Sequence, residues 1–256
     1  MASDLRSMVE RLTVPQKSTE GTRYLRALFY GDFSVGKTDL GVKCLHAIGC
    51  KKILAITSDS AWVTWLKYPE IADTIERVEF EGYSQVRTMM EARAAGIEPY
   101  ASYDGMLFDT FSTAHTNVLG NIVEQKTFDD QKHPEAPGWT TYNVGTIGAK
   151  KVISAIRKSG LHVVYTAHLR EPSEQDKTAN KLMSRANIPE QTYRAIAQEV
   201  NLIGMLSKAK TGSDRTIQVD MTNRVAAKNL LNTLTQPSYN VNQIPDLIRE
   251  WVHANV

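Results

Sequence analysis

Residues Gly31-Asp32-Phe33-Ser34-Val35-Gly36-Lys37-Thr38 match the pattern G-x-x-x-x-G-K-[ST] in full. Glycines at these two positions let the backbone curl so that successive N–H groups point inward. With the N-terminus of a following helix, those donors hold phosphate oxygens. Lys37 is then placed to reach β- and γ-phosphates, and Thr38 to ligate Mg²⁺ through its hydroxyl. Asp39 completes the run expected to contact a nucleotide. A magnesium nucleotide also needs an acidic anchor at a strand end. Asp109, closing Met106-Leu-Phe-Asp109, fits that part, although an Asp there could equally cap the next helix. Asp59 ends another apolar run and could orient and deprotonate a water, or simply be a solvated loop carboxylate. His168 ends Val163-Val-Tyr-Thr-Ala-His168, where a polar side chain could meet a γ-phosphate or its water, or be an ordinary strand-end histidine. The run Asn180-Lys181-Leu182-Met183 lacks the Asp that guanine recognition would call for, so ATP is the expected nucleotide. The remaining histidines, His46, His115, His133, His162 and His253, show no metal-ligand spacing and are expected at the surface.

These residues need a scaffold that brings strand ends together. Short apolar runs at Leu25–Tyr30, Lys52–Thr57, Arg77–Phe80, Gly105–Asp109 and Leu161–Ala167 read as strands. Helical patterns run from the glycine-rich loop to Ile48, over Ser84–Ala95 and over Asn143–Ser159. Strands separated by helices predict an α/β fold, a mostly parallel twisted sheet with helices on both faces. Val200–Leu206 and Thr216–Met221, joined through Lys210-Thr-Gly-Ser-Asp214, predict a C-terminal β-hairpin, and residues 244–253 a last amphipathic helix. Residues 1–21 read as a short amphipathic helix and a linker, packed on its own domain or serving as an oligomerisation arm, and 22–256 as the core.

The chain has 256 residues, 42% hydrophobic and 23% charged, which suits one domain able to bury a sizeable core. Thirty Lys and Arg against 28 Asp and Glu give a net charge of +2, which excludes a histone-like polycation but not a local nucleic-acid site. Two cysteines, Cys44 and Cys50, make neither a disulfide framework nor a zinc site and predict a reducing, cytoplasmic compartment. No apolar run reaches the ~18 residues of a membrane span, and no signal peptide is visible.

Two stretches lack periodicity, 125–141 and 169–188. Loops that long inside a compact domain tend to carry function. The first brings Lys126 and Lys132 with the aromatics Trp139 and Tyr142. Basic groups can neutralise phosphates, and aromatic rings can stack on bases at ~1–3 kcal/mol each; Trp139 could instead anchor a helix in the core. The second brings Arg170, Lys177, Lys181 and Arg185, offset by Glu171, Glu174 and Asp176, so it also reads as a solvated segment.

The order of GDFSVGKT, the acids Asp59 and Asp109, VVYTAH ending at His168, a loop and a closing hairpin resembles the RecA-type P-loop ATPase core. More narrowly, with Gly138-Trp-Thr-Thr-Tyr142 before a long helix, it resembles the small bacteriophage RecA-like ATPases of the single-strand annealing group. The resemblance covers roughly residues 22–232. It implies that Asp59 stands where the family has a catalytic acid, usually the longer Glu, and that His168 stands where a Gln couples γ-phosphate to a DNA loop. It implies that 125–142 and 169–188 are the two DNA-binding loops. It also implies that a basic residue after the core strands, Arg224 or Lys228, reaches a neighbour's nucleotide. The family pattern K-[DN]-R has Leu230 in place of its Arg here, and the choice between the two stays open. On this reading the partners are single-stranded DNA, further copies of the chain in a filament or ring, and a single-strand-binding protein. The alternatives are a non-catalytic scaffold stabilised by ATP, a helicase or packaging motor, and a small-molecule kinase, which the placement of Asp109 disfavours.

Overall fold

The computed structural model describes residues 23–130, 139–174, 183–209 and 214–254, with the backbone alone for 125–130 and 139. The predicted N-terminal arm and linker lie outside the described residues.

Five central strands are apolar on both faces and form the middle of the sheet: β1 (Arg26–Gly31), β2 (Ile53–Thr57), β4 (Gly105–Asp109), β5 (His162–Arg170) and β7 (Leu202–Lys208). A strand covered by helices on both sides has no face for water, so it carries continuous Val, Leu, Ile and Phe. β3 (Ile75–Glu79) lies at one edge and is correspondingly mixed, with charged residues exposed. The order from the far edge is β10, β8, β7, β1, β5, β4, β2, β3, with β8 (Arg215–Gln218) and β10 (Ser238–Asn240) antiparallel. Short β6 (Arg185–Ala186) and β9 (Lys228–Asn229) pair with β5 and β7. The fold is therefore α/β with a mostly parallel sheet and a C-terminal hairpin, as expected.

Two apolar layers sandwich the sheet. One is built on α1 (Lys37–Ala47) and α7 (Ile244–His253), with Leu40, Leu45, Ile244 and Ile248 buried against Phe29, Ala55 and Val164. The other is built on α3 (Tyr83–Ala94), α4 (Phe111–Asp130), α5 (Trp139–Lys158) and α6 (Glu190–Glu199). In that layer Phe108, Phe111 and Tyr165 pack edge to face or tilted, with ring centroids 5.0 Å apart for the first pair and 5.9 Å for Phe111 and Tyr165. A further short helix, α2 (Pro69–Ala72), follows a 3-10 segment over Ser60–Lys67.

The structure corrects several expectations. α4 is a full helix without a clear apolar stripe in its sequence, because polar Ser112 and His115 share its buried face with Phe111, Ala114 and Leu119. It runs to Asp130 and α5 starts at Trp139, so the first aperiodic stretch is helical at both ends. The second is shortened likewise: β5 continues to Arg170 and β6 returns antiparallel to it. His115 is not at the surface but 2% exposed, with Nδ1 2.6 Å from the Tyr83 hydroxyl. Burial lowers its pKa to about 4, so it is neutral. His162 Nδ1 accepts from the Leu25 amide at 3.1 Å and is also held below its ordinary pKa by burial.

Candidate nucleotide site

All the parallel strands end at one edge, and their register aligns the residues that the sequence singles out. Gly31 stands opposite His168 on β5, and Thr57 opposite Asp109 on β4. Because β5 lies between β1 and β4, the loop after Gly31 and the Asp109 carboxylate face each other across the tip of β5. Gly31 itself is fixed by close packing: a Cβ there would meet the Leu206 carbonyl oxygen of β7 at 2.4 Å.

The loop 32–36 turns into α1 through left-handed conformations at Ser34 (φ 59°) and Gly36 (φ 91°). Such a turn aims consecutive N–H groups into one concavity. Gly36 caps α1 without any side-chain acceptor, so the first-turn amides are left for an anion. Lys37 is 6% exposed, and its Nζ donates to the carbonyls of Gly31 at 3.1 Å and Asp32 at 2.6 Å. Burial draws its pKa down, against the carboxylates of Asp109, Asp32 and Asp59, which favour the charged form. The Val35 side chain packs in the core, so that residue can offer only its backbone.

Asp109 is fully buried and accepts from the Thr38 hydroxyl at 2.9 Å and from the Thr166 hydroxyl of β5. Its pKa is raised to about 6, first by burial and then by the negative charge of Asp59, while Thr166, Thr38 and Lys37 oppose the rise. The predicted cap role is not what holds it. The Thr38 hydroxyl and this carboxylate are hard oxygen donors in contact, the donor set that Mg²⁺ takes. Among the described residues no cluster of three His, Cys, Asp or Glu offers another metal site.

Asp59 lies in the same cleft, but both its oxygens have partners. One accepts from the Ala61 amide at 2.8 Å, capping the 3-10 segment, and the other from the Thr110 hydroxyl at 3.2 Å. His168 also faces the cleft. Its Nε2 lies 3.3 Å from the Thr113 hydroxyl, and its amide donates to Ser112 Oγ at 2.9 Å. Its Nδ1 is buried with no hydrogen-bond partner among the described residues. Burial and then the Lys37 charge hold its pKa below the ordinary value, so the ring is neutral near pH 7 and can donate or accept. Phe33, 76% exposed, lays its ring on His168 with centroids 4.3 Å apart. Together these groups line a cleft of about 480 Å³. Sequence reasoning missed Arg215 and Lys67, which line it too and come from remote segments with no motif around them. Asp39 turns its carboxylate away into an ion-pair cluster with Lys43 and Lys67 at 3.4 and 3.3 Å.

The remaining candidates lie elsewhere. Lys228 Nζ donates to the carbonyls of Ala197 at 2.8 Å and Val200 at 2.7 Å, at the C-terminus of α6 in its own chain. Arg224 is exposed and does not line the cleft. Arg170 and Arg185 stand opposite each other on β5 and β6 and, with Arg194, line a second cleft of about 490 Å³. Arg185 pairs there with Glu190. Tyr142 is 41% exposed on α5. Lys132, Lys177 and Lys181 lie outside the described residues, as do the side chains of Lys126 and Trp139.

The family model described as AAA domain matches residues 23–231. A search of curated proteins gives no match. Among solved structures the chain is similar to the RadB recombinase, at 14% identity and a TM-score of 0.44 over 75% of this chain and 78% of that one. It is also similar to the flagellar accessory protein FlaH from Methanocaldococcus jannaschii, at 12% identity and a TM-score of 0.45 over 88% and 92%. No helix among the described residues is long and apolar enough to cross a membrane.

Proposed function

From the premise that this chain belongs to the AAA domain family of P-loop nucleotide-binding domains, we propose that it binds ATP with Mg²⁺, hydrolyses it, and acts on single-stranded DNA as a homo-oligomer in phage recombination or strand annealing. The observation that carries the nucleotide reading is the contact between Thr38 and the buried Asp109, 2.9 Å apart beside the open N-terminus of α1. A bound magnesium ion would supply charge neutralisation to the β- and γ-phosphates. The chain's own groups do the rest. The loop amides and Lys37 hold phosphate oxygens, and Lys37 must leave the Gly31 and Asp32 carbonyls to do so. His168, neutral and with an Nδ1 unpartnered among the described residues, meets the terminal phosphate or its water. Asp59 orients the attacking water and accepts its proton.

Two features support coupling to DNA. β5 carries His168 in the cleft and Arg170 two residues further along, beside Arg185. The buried Tyr30 hydroxyl on β1 donates to the Ala226 carbonyl at 2.7 Å and lies 3.3 Å from the Ser184 carbonyl, which shares its proton. It thus links the phosphate-loop strand to the segments that carry Arg185 and Arg224. A labelled single-stranded oligonucleotide should bind more tightly with ATP than with ADP by fluorescence anisotropy, and Arg170→Ala should weaken it and reduce its salt dependence. Absence of binding in both nucleotide states would remove the DNA part of this reading.

The basic residue acting on a neighbour is Arg224 rather than Lys228, whose ammonium is engaged by α6. Arg224→Ala is expected to lower turnover by about 10³-fold while leaving ATP affinity intact. Lys228→Ala is expected to leave turnover per folded molecule alone and to cost about 1–3 kcal/mol of stability, because two helix-end carbonyls lose a charged donor. Steady-state rates with urea unfolding separate the two. A second reading, an ATP-stabilised scaffold with negligible turnover, is favoured by one observation: the short Asp59 side chain is engaged at both oxygens. Retention of unhydrolysed ATP through a nucleotide chase would select it.

A further inference from the structure

Arg215 opens β8, the second strand of the closing hairpin, and its guanidinium lies directly over the phosphate loop. A Cβ on Gly36 would come within 2.3 Å of Arg215 Nη1, so the side chain occupies the space that the glycine leaves. Arg215 lines the nucleotide cleft and also a side hollow of about 280 Å³ that opens beside it, bounded by Lys43, Lys67 and Tyr68 with the acids Asp39 and Asp214. Lys37, Asp109 and His168 do not line that hollow. Arg215 therefore stands on the border between the cleft, which it shares with Lys37 and His168, and a hollow that they do not reach.

The nearby carboxylate does not use this guanidinium up. Asp39 is 3.9 Å from Arg215, but Lys43 and Lys67 stand closer, at 3.4 and 3.3 Å. Three cations thus share one carboxylate. Asp59 lines the cleft two residues past β2, and Asp109 is fully buried at the end of β4. Arg215 and Lys67 line both the cleft and the hollow, which puts two cations at the border between them. An arginine fork in that position suits the oxygens of a bridging phosphate.

Resting on the reading that this cleft holds a nucleotide, we infer that Arg215 binds the α- and β-phosphates of the nucleotide held by its own chain. It clamps the diphosphate part that ATP and ADP share, and does not read the γ-phosphate. An arginine whose role were confined to bracing Asp39 would change thermal stability without a matched effect on the two nucleotides.

The test is the affinity of ADP and of ATP for the wild type, Arg215→Ala, Arg215→Lys and Lys37→Ala, by isothermal titration calorimetry. Arg215→Ala should raise both dissociation constants by about 10- to 100-fold, the scale of a lost charge-assisted contact, with their ratio unchanged. Arg215→Lys, which keeps the charge and the fold but not the fork, should raise both by a smaller, equal factor. Unchanged ADP affinity in both variants, or a loss confined to ATP, would overturn the inference while leaving the nucleotide site standing. A wild type that binds neither nucleotide better than Lys37→Ala does would overturn the nucleotide site, and this inference with it.

Discussion

Lys37→Ala is expected to abolish ATP binding at micromolar nucleotide and to reduce turnover to the level of a no-enzyme blank. The ammonium is pre-positioned at low cost: its present acceptors are two carbonyls of that loop, at 3.1 and 2.6 Å. Moving from a carbonyl to a phosphate oxygen exchanges a neutral acceptor for a charged one and turns a charge-assisted hydrogen bond into an ion pair. Removing one such preorganised donor from a dry site costs about 3–4 kcal/mol at the transition state, or 10²–10³-fold. The same substitution relieves a buried charge, since burial already pulls the Lys37 pKa down. Thermal stability without nucleotide should therefore change little, and what is lost is the response to ATP. Fluorescent ATP-analogue binding checks this, and retained micromolar affinity would contradict the role given to Lys37.

Asp109→Asn should lower turnover by about 10²–10³-fold and, unlike Lys37→Ala, raise stability in the absence of ligand. The carboxyl is fully buried, and its folded-state pKa of about 6 lies above the ordinary value of 3.8. The folded protein thus binds more protons than the unfolded chain between roughly pH 4 and 6, and this group's contribution to stability falls as pH rises through that window. Above pH 6 the penalty is complete, on the order of 1–3 kcal/mol. Asparagine has nothing to ionise, so at pH 8 without metal the variant should be the more stable protein, with the difference shrinking toward pH 4. Adding Mg²⁺ and ATP should reverse the order, because the ligand stabilises the wild type alone. Melting curves at pH 5 and pH 8, with and without Mg-ATP, test both halves. A wild type that is the more stable protein without ligand at pH 8 would argue against Asp109 as a carboxylate kept for a cation.

Much of this was legible in the residues. Short continuous apolar runs such as Ile53–Thr57 and Gly105–Asp109 suit strands buried on both faces, and helical patterns between them point to parallel order. The phosphate loop and Asp109 follow from motif and strand end together. What was not legible depends on contacts across the sequence. α4 gives little periodic signal, because Ser112 and His115 lie on its buried face among Phe111, Ala114 and Leu119. His115 looks like any isolated histidine until Tyr83 from α3 meets it. Arg215 sits in a hairpin with no motif, and only the fold carries it over Gly36. Lys228 and Arg224 are equivalent as a pair of basic residues. The carbonyls at the end of α6, which distinguish them, are some thirty positions away.

The central claim, an ATPase completed by neighbouring copies and gated by single-stranded DNA, is tested most directly by the steady-state rate of ATP hydrolysis. It should be measured with and without single-stranded DNA over a range of protein concentrations, with Lys37→Ala as the blank. The account predicts a rate that rises with DNA and climbs more steeply than linearly with protein. A rate equal with and without DNA, and strictly proportional to protein although ATP is bound, would contradict it.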